Sequence, residues 1–296
     1  MRVVVTGGTG LLGAALVARL RLGLHEIIVL SRTPHRTGQV HWDAQSSTGG
    51  WTQHLDGADA VIHLAGESLS GWRWTARRMA RIRDSRVLST RALVTAIKAA
   101  TRPPAVLISG SAIGYYGPHG DEPLAEDSPP GSDFLANVCV EWEREAMAAA
   151  AVTRVVTIRT GLALDRTDGA LPRMALPFRF FIGGPLGSGQ QYVSWIHRDD
   201  WVQMVHWAIH DDQVSGPLNV TAPNPVPNHA FAKALGRALH RPAVVPVPER
   251  ALQLALGPEM ASMLLQGQRV LPAKAESLGF QFKYPQLEPA LKALLR

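Results

Sequence analysis

The chain is poor in cysteine, in charge and in long apolar stretches. Its single cysteine, Cys139, excludes an intrachain disulfide framework and metal clusters built on several thiolates. No run of about 18 apolar residues is present, so no segment is predicted to span a bilayer. The first apolar run is too short for the core of a signal peptide. Hydrophobic residues, at 46%, are ample for a core, and we expect a cytoplasmic protein with one large domain and a smaller appendage.

The net charge of +6 derives mainly from arginine. Many arginines lie between Arg73 and Arg91, interleaved with apolar residues on a predicted amphipathic helix. Such a stripe binds nucleic acid in some proteins and is a solvated helix face in others. No nucleic-acid motif accompanies it, so we favour the solvated face. The predicted partner is a small molecule, with no nucleic acid and no membrane, and oligomerisation stays open.

A glycine-rich turn joins a predicted strand to a predicted helix at the start of the chain. The apolar run Val3–Val5 leads into Thr6–Gly13, and an alanine- and leucine-rich stretch follows. In this context Gly7 permits a tight turn, Gly10 lets the backbone approach a pyrophosphate, and Gly13 allows close packing of helix on strand. The phosphates would lie at the helix N-terminus. The alternative is a glycine turn that binds no ligand.

The end of the second predicted strand indicates which dinucleotide is bound. Glu26–Leu30 runs into Ser31 and Arg32, with Arg36 close behind, and no carboxylate occurs between the first residue of this strand and Asp43. NAD sites usually place a carboxylate here for the ribose 2′-hydroxyl, whereas an arginine accommodates a 2′-phosphate. We therefore predict NADP(H), the alternative being that both arginines are ordinary surface charges.

Strands and helices alternate along the rest of the chain. Further strands are predicted at Ala58–Gly66, Ala105–Ser109, Arg154–Arg159, Ser194–Ile196, Pro217–Thr221 and Val244–Val247. Helices are predicted at Thr75–Ala100, with a break or kink, at Asp133–Ala150 and at Asp199–His210. The alternation predicts the α/β class, a Rossmann-type doubly wound parallel sheet with a smaller C-terminal substrate-side domain. We assign residues 1–164 and 194–222 to the Rossmann domain, and 165–193 and 223–296 to the smaller one.

Several segments converge at the carboxyl ends of the predicted strands, where doubly wound sheets bind ligands. They are Leu64–Ser68, Ser109–Gly117 and Arg159–Gly161. Together with Thr6–Gly13 and Trp195–His197, they resemble the extended short-chain dehydrogenase/reductase superfamily. Within it, the chain is similar to an epimerase-like branch, related to NAD-dependent epimerases and dehydratases, that carries a C-terminal domain of unknown function.

The resemblance covers nearly the whole chain, including Pro258–Met260 and Gly267–Gln268 near its end. It implies an NADP(H)-binding oxidoreductase that acts on an unidentified small molecule. The expected cofactor-binding residues are Thr6, Gly7, Gly8, Thr9, Gly10, Leu11, Leu12, Gly13, Ser31, Arg32, Leu64, Ala65, Gly66, Glu67, Arg86 and Arg159.

The catalytic pair usual in this superfamily is missing. Its reductases place a tyrosine and a lysine four residues apart on one helix, so that both face the nicotinamide. The corresponding positions here hold Phe134 and Val138. No lysine occurs between Lys98 and Lys233, so a shift in register restores nothing. Cys139 is predicted to be a small buried hydrophobe rather than a nucleophile.

Other residues are candidates for the chemistry. The resemblance places Ser109 and Ser111 where the family serine polarises a carbonyl, Tyr116 in the following loop, and Arg86 where the superfamily often has asparagine. His197 is a candidate hydrogen-bond partner or acid–base group. The alternatives are that the serines bond to backbone, the tyrosine packs in its loop, Arg86 pairs with an acid, and His197 ties its loop together. If all these hold, the protein is a catalytically inactive NADP(H)-binding sensor or regulator.

Overall fold

The structure, a computed structural model, describes residues 1–69 and 73–295. The strands are β1 (Arg2–Thr6), β2 (Glu26–Ser31), β3 (Gln39–His41), β4 (Ala60–His63), β5 (Val106–Ala112), β6 (Pro123–Leu124), β7 (Arg154–Thr160), β8 (Leu162–Leu164), β9 (Tyr192–Val193), β10 (Trp195–His197), β11 (Gly216–Val220), β12 (Val226–Pro227) and β13 (Arg269–Val270). The α-helices are α1 (Leu11–Leu22), α2 (Ala76–Ala99), α3 (Phe134–Met147), α4 (Ala170–Arg179), α5 (Arg198–His210), α6 (Asn228–Leu239), α7 (Glu249–Leu256), α8 (Pro258–Leu265), α9 (Ala273–Ser277) and α10 (Leu287–Leu295). None of the helices in these ranges is long and apolar enough to cross a membrane.

A parallel sheet of seven strands forms the centre of the molecule, in the order β11-β7-β5-β4-β1-β2-β3. Consecutive residues of β1 face opposite sides because side chains alternate along a strand. Val3 and Val5 pack with α1 and α5, whereas Val4 packs with α2 and α3. Both faces are therefore covered by helices, which confirms the predicted Rossmann-type doubly wound fold.

The strand order reverses at β1, which pairs with β2 on one side and β4 on the other. In doubly wound sheets the crevice for a ligand forms at such a switch point, beyond the carboxyl ends of the strands. The loop between β1 and α1, the end of β2 and the segment after β4 therefore come together at one end of the sheet.

A second apolar core lies outside the main sheet. It is built from buried side chains of β8, α4, α6 and α10, including Phe231 and Leu291. Trp195 of β10 belongs to this core, and β10 pairs with β8 rather than with the main sheet. The predicted strand Ser194–Ile196 thus exists, shifted by one residue. The assignment of domain boundaries stays a prediction.

Two predicted elements differ in the structure. The prediction of a strand at Val244–Val247 is wrong: only Val247 forms an isolated bridge, with Leu186. Val245 and Val247 donate to the carbonyls of Gly183 and Pro185, but proline at position 185 has no N–H to donate back, so the ladder does not continue. The predicted break in the helix near Thr75–Ala100 is also wrong, since α2 runs without interruption over Ala76–Ala99. This segment contains no proline or glycine that would break it.

Candidate functional site

The glycine turn adopts a shape that two of its glycines make possible. Gly7 has φ of +69°, and a Cβ there would lie 2.7 Å from the carbonyl carbon of Leu64. A Cβ on Gly13 would lie 2.2 Å from the carbonyl oxygen of Gly7. Both positions need glycine for the protein's own packing. The turn thereby brings the start of α1 close to the ends of β1 and β4.

Gly10 differs from these two. It is the N-cap of α1, with an ordinary φ of −79°, and the nearest protein atom to a Cβ there is Gly7 O, at 3.4 Å. A side chain at position 10 would extend into open space, so packing within the protein does not require this glycine. The first intrahelical bond runs from Ala14 N–H to Gly10 O, so the N–H groups of residues 11–13 have no partner within the helix. This arrangement fits a bound phosphate.

A cavity of about 810 Å³ opens beside Gly10, within the size range of small-molecule sites. Its lining joins the glycine turn, the end of β2, the loop after β3, the segment after β4 and one face of α2. The lining residues are Gly7, Thr9, Gly10, Leu30, Ser31, Arg32, Thr33, His41, Trp42, Asp43, Ala44, Gln45, Leu64, Ala65, Gly66, Glu67, Arg81, Asp84, Ser85 and Ser89. Nine of the predicted cofactor-binding residues therefore share one cavity: Gly7, Thr9, Gly10, Ser31, Arg32, Leu64, Ala65, Gly66 and Glu67.

Arg32 lines this cavity directly after β2 and is exposed. Among residues 1–69 and 73–295 no carboxylate forms an ion pair with it. Its guanidinium is therefore available to an anion that enters the cavity. Arg36 does not line the cavity.

The other predicted cofactor-binding residues do not line the cavity. Gly8 is buried, and a Cβ on it would lie 3.0 Å from the Val29 side chain. Leu11, Leu12 and Gly13 belong to the first turn of α1, where backbone N–H groups rather than side chains face a ligand. Cofactor contacts through these residues stay predictions. Thr6, Arg86 and Arg159 make other contacts, described below.

Thr6 is fully buried and belongs to a polar chain under the cavity. Its Oγ1 lies 2.6 Å from Nδ1 of His63, and Nε2 of His63 lies 3.0 Å from Oγ1 of Thr90. Burial lowers the pKa of His63 to about 3, so this ring is neutral at physiological pH. The chain links β1, β4 and α2 beneath the cavity. The sequence places His63 in the predicted strand Ala58–Gly66 but gives no sign of its bonds to Thr6 and Thr90, which are distant along the chain.

Arg159 is 3% exposed and bonds to a carboxylate instead of reaching the cavity. Its Nε and Nη2 donate to Glu143 at 2.8 and 2.9 Å. Burial lowers the pKa of Arg159, but the hydrogen bonds and charge of Glu143 outweigh burial and raise that pKa overall. The placement does not support the predicted cofactor contact, because the guanidinium is engaged within the protein.

Glu143 also binds the serine that was predicted to polarise a substrate. Ser111 Oγ donates to Glu143 Oε1 at 2.6 Å, and the side chain of Ser111 is almost fully buried. Its proton is therefore committed to a carboxylate rather than available to a carbonyl. Ser109 is fully buried, and its hydroxyl faces the carbonyl of Gly110 at 3.4 Å. Both serines therefore fit the alternative stated above, in which they bond within the protein and do not contact a substrate.

Tyr116 is fully buried in the same network. Its hydroxyl donates to Asn219 Oδ1 at 2.7 Å and accepts from Arg159 Nη1 at 2.9 Å. Burial raises the pKa of Tyr116 to about 12. The position argues against its predicted role as a proton donor, since the phenol contacts no open space. Tyr115, next to it, stacks on Arg159 with 3.5 Å between the guanidinium carbon and the ring centre.

His197 closes β10 and caps α5. Its Nδ1 accepts the backbone N–H of Asp199 at 3.0 Å, and the ring stacks on Tyr284 with centres 3.9 Å apart. Burial lowers the pKa of His197 to about 4. A helix cap with its acceptor nitrogen occupied matches the alternative of a structural histidine. The prediction of an acid–base role gains no support from this placement.

Arg86 lies on α2, against the back of the cavity lining. A Cβ on Gly66 would lie 3.2 Å from its guanidinium carbon, and the guanidinium stands 5.3 Å from the ring centre of Trp142. Burial lowers the pKa of Arg86, which still leaves it a cation at neutral pH. In the part of the chain that the structure describes, no carboxylate pairs with it, so the alternative of an acid partner is not realised. It is a partly buried cation beside the cavity.

Apolar side chains occupy the two positions where the tyrosine and lysine of the usual catalytic pair would stand. Phe134, the first residue of α3, packs edge-on against Trp74 with ring centres 6.2 Å apart. Val138 is buried, and so is Cys139. Burial, reinforced by the charge of Glu143, raises the pKa of the Cys139 thiol to about 12, as expected for an unreactive buried cysteine.

The basic stripe of α2 faces acidic residues of α3. Arg83 forms an ion pair with Glu141 at 2.5 Å, and Arg91 with Glu145 at 2.7 Å. Glu67, which lines the cavity, forms an ion pair with Arg78 at 3.7 Å. Carboxylates of the same chain therefore compensate much of this charge, which is consistent with the predicted solvated helix face.

Comparison with known proteins gives close relatives. A profile of the NAD-dependent epimerase/dehydratase family matches residues 3–221, and a domain of unknown function, DUF1731, matches residues 247–294. The chain is 42% identical to the Arabidopsis thaliana "Epimerase family protein SDR39U1 homolog, chloroplastic", covering 100% of this chain and 87% of the relative. It is 41% identical to the Bacillus subtilis "Epimerase family protein YfhF", covering 100% and 98%.

A solved structure is similar along its whole length. The crystal structure of the human epimerase family protein SDR39U1, isoform 2, with NADPH has a TM-score of 0.93 and 37% identity, and it covers 100% of this chain and 99% of the human one. The match extends through the Rossmann sheet and the C-terminal segment alike. The chain therefore belongs to the NAD-dependent epimerase/dehydratase family and carries the C-terminal DUF1731 domain.

Proposed function

We propose that this chain binds NADP(H) in the cavity beside the glycine turn. One observation carries the proposal: Gly10, which needs no glycine for packing, and Arg32, which has no acidic partner in the described residues, open into the same cavity. The start of α1 would hold the pyrophosphate and Arg32 the 2′-phosphate. The human relative, solved with NADPH, supports the same choice of nucleotide.

Titration of the purified chain with NADPH and NADH tests this function. A charge-assisted contact to the 2′-phosphate contributes about 1.5–3 kcal/mol, so NADPH is expected to bind at least about tenfold more tightly. Calorimetry measures both affinities directly. Equal affinities for the two nucleotides would contradict the proposal.

For the reaction, we propose an epimerase-like oxidoreductase that acts on a small molecule. The bound cofactor supplies hydride exchange. Within residues 1–69 and 73–295, Arg86 is our candidate to stabilise negative charge on a substrate oxygen, because it is a partly buried cation beside Gly66 without an acidic partner. Its guanidinium does not exchange protons at neutral pH, so water would have to supply the proton.

A second candidate function is that of an NADP(H)-binding sensor without turnover. The hydrogen bonds of the four predicted catalytic residues favour it. Ser111 is bound by Glu143, Tyr116 by Asn219 and Arg159, and His197 by the start of α5, while Ser109 is buried. Under this proposal the occupied nucleotide cavity itself is the signal.

NADPH oxidation with a panel of ketones and aldehydes distinguishes the two candidates. General acid–base catalysis typically contributes about 10²–10⁴-fold, so turnover is expected to be slower than that of a tyrosine–lysine enzyme by a factor of this size. For the oxidoreductase, Arg86→Gln abolishes the residual rate while NADPH still binds. For the sensor, tight NADPH binding is accompanied by no turnover on any carbonyl. A gain of activity in Phe134→Tyr with Val138→Lys would confirm the register used here.

A further inference from the structure

Three histidines meet at the end of the sheet opposite the nucleotide cavity. His25 immediately precedes β2, whereas the cavity lies beyond the carboxyl end of that strand. His206 and His210 lie on α5, four residues and about one helical turn apart, so both rings are on one face. α5 packs beside α1, which leads directly into the turn that carries His25. None of these residues takes part in the function proposed above.

The ring nitrogens are close enough to share one ion. One ligand nitrogen from each histidine lies within 4.8 Å of the other two. Nitrogens about 2.1 Å from a tetrahedral zinc ion are about 3.4 Å apart, so the rings must move closer by about 1 Å to close the site. His25 and His206 are half-buried, and His210 is exposed. Gly23 makes room for this approach, because a Cβ there would lie 2.9 Å from Nε2 of His25.

A hydrogen bond fixes one ring in the form that binds metals. His210 Nδ1 lies 2.8 Å from the backbone carbonyl of His206, and a carbonyl only accepts, so Nδ1 donates. The lone pair of His210 is then on Nε2. Metal-binding histidines commonly hold their other nitrogen in this way, which orients the ring and makes it a better ligand.

Burial and nearby positive charges lower the pKa of two of the rings, His206 and His25. Burial lowers the pKa of His206 to about 4, with further contributions from His210 and Arg19. Burial, the N-terminal amine, His210 and Arg19 lower the pKa of His25, against the opposing charge of Asp59. At neutral pH protons therefore do not compete for these two rings, although Arg19 repels an incoming cation.

We propose that His25, His206 and His210 form a binding site for a divalent transition metal, with Zn²⁺ as the ion and water in a fourth position. Three imidazoles are a ligand set typical of Zn²⁺, and the exposure of His210 leaves room for the water. The ion would connect the start of β2 to the last turn of α5. Since a metal bound only by the folded chain stabilises it, this site would act as a clamp between two elements distant in sequence.

The test uses the untagged full chain, freed of metal with EDTA and then titrated with Zn²⁺ in a calorimeter. We expect one ion per chain and, with the ion in large excess over the dissociation constant, a rise in melting temperature of about 5 °C. His210→Ala and His25→Ala should each weaken binding by at least about 100-fold. The exposed His35→Ala is the matched control and should bind as the wild type does.

Each result bears on the proposal. Equal melting temperatures of all variants in EDTA show that the histidine changes leave the fold intact. Co²⁺ serves as a second probe, since three nitrogens and a water give it the absorption bands of a tetrahedral site. Zn²⁺ binding that survives His25→Ala would reduce the site to two histidines on one helix and overturn the proposal, as would the absence of one-to-one binding in the wild type.

Discussion

Two glycines of the turn between β1 and α1 are needed for different reasons, one for the nucleotide and one for packing within the protein. Gly10 faces open space, so Gly10→Val is expected to abolish NADPH binding by filling the place of the pyrophosphate, while the fold persists. Gly13→Ala is its counterpart: the added Cβ meets Gly7 O at 2.2 Å, and such overpacking costs about 1–3 kcal/mol of stability. Urea denaturation and NADPH titration separate the two effects. Unchanged NADPH affinity in Gly10→Val would remove the turn from the binding site.

The two arginines after β2 allow a similar comparison between a residue inside the cavity and one outside it. Arg32 lines the cavity and Arg36 does not, although both are exposed. Arg32→Ala is expected to weaken NADPH binding by about tenfold or more and to leave NADH binding nearly unchanged, because only NADPH carries the 2′-phosphate. Arg36→Ala should change neither. A loss of equal size for both nucleotides would show that Arg32 does not read the 2′-phosphate.

At the scale of elements, the sequence predicts those parts that depend on local patterning. The glycine turn, β1, β2, β4, β5, β7 and the helices between them follow from apolar runs and periodicity, and nine predicted cofactor residues do line one cavity. The network around Glu143 was not predictable in this way. Its members come from β5, the loop after β5, α3, β7 and β11. No local spacing shows that a serine and an arginine will bond to one carboxylate, or that a tyrosine will bond to that arginine.

The hydrogen bonds of Glu143 connect α3, β5 and β7. Glu143 on α3 receives two hydrogen bonds from Arg159 on β7 and one from Ser111 on β5. Glu143→Ala leaves a buried guanidinium without its carboxylate, which is expected to cost about 3–5 kcal/mol of unfolding free energy. Glu145→Ala, which breaks the exposed pair with Arg91, should cost far less. Urea denaturation compares them, and similar losses would contradict this account.

For the whole molecule, buried neutral histidine makes stability depend on pH. The folded pKa of His63 is about 3, against 6.5 for an unperturbed ring. Below pH 6.5 the unfolded chain takes up a proton that the folded chain excludes, so stability is complete above pH 6.5 and falls as the pH drops towards 3. At pH 5 the expected loss from His63 is about 2 kcal/mol.

Urea denaturation at several pH values between 7.5 and 5 measures this slope. His63→Gln is expected to lower stability at pH 7.5 and to remove only the share of the pH dependence that His63 contributes, since glutamine does not titrate. His197 and His206, whose pKa values are lowered to about 4, keep their own shares. His35→Gln, at an exposed position, should keep the slope of the wild type. If His63→Gln also retained the full slope, other groups would account for the acid sensitivity.

The outer edge of β11 has a consequence for synthesis on the ribosome. Glu126 accepts the N–H of Asn219, and Lys274 donates to the carbonyl of Pro217, so side chains cap this edge of the sheet. Lys274 emerges some fifty residues after β11, a delay of about 3–10 s at ordinary elongation rates. During that interval the carbonyl of Pro217 lacks its cap, so the nascent chain presents a partly uncapped strand edge, the kind that recruits other chains. Nascent chains arrested between Val220 and Lys274 should therefore engage chaperones more strongly than chains arrested after Lys274, which pulldown of stalled ribosomes would measure.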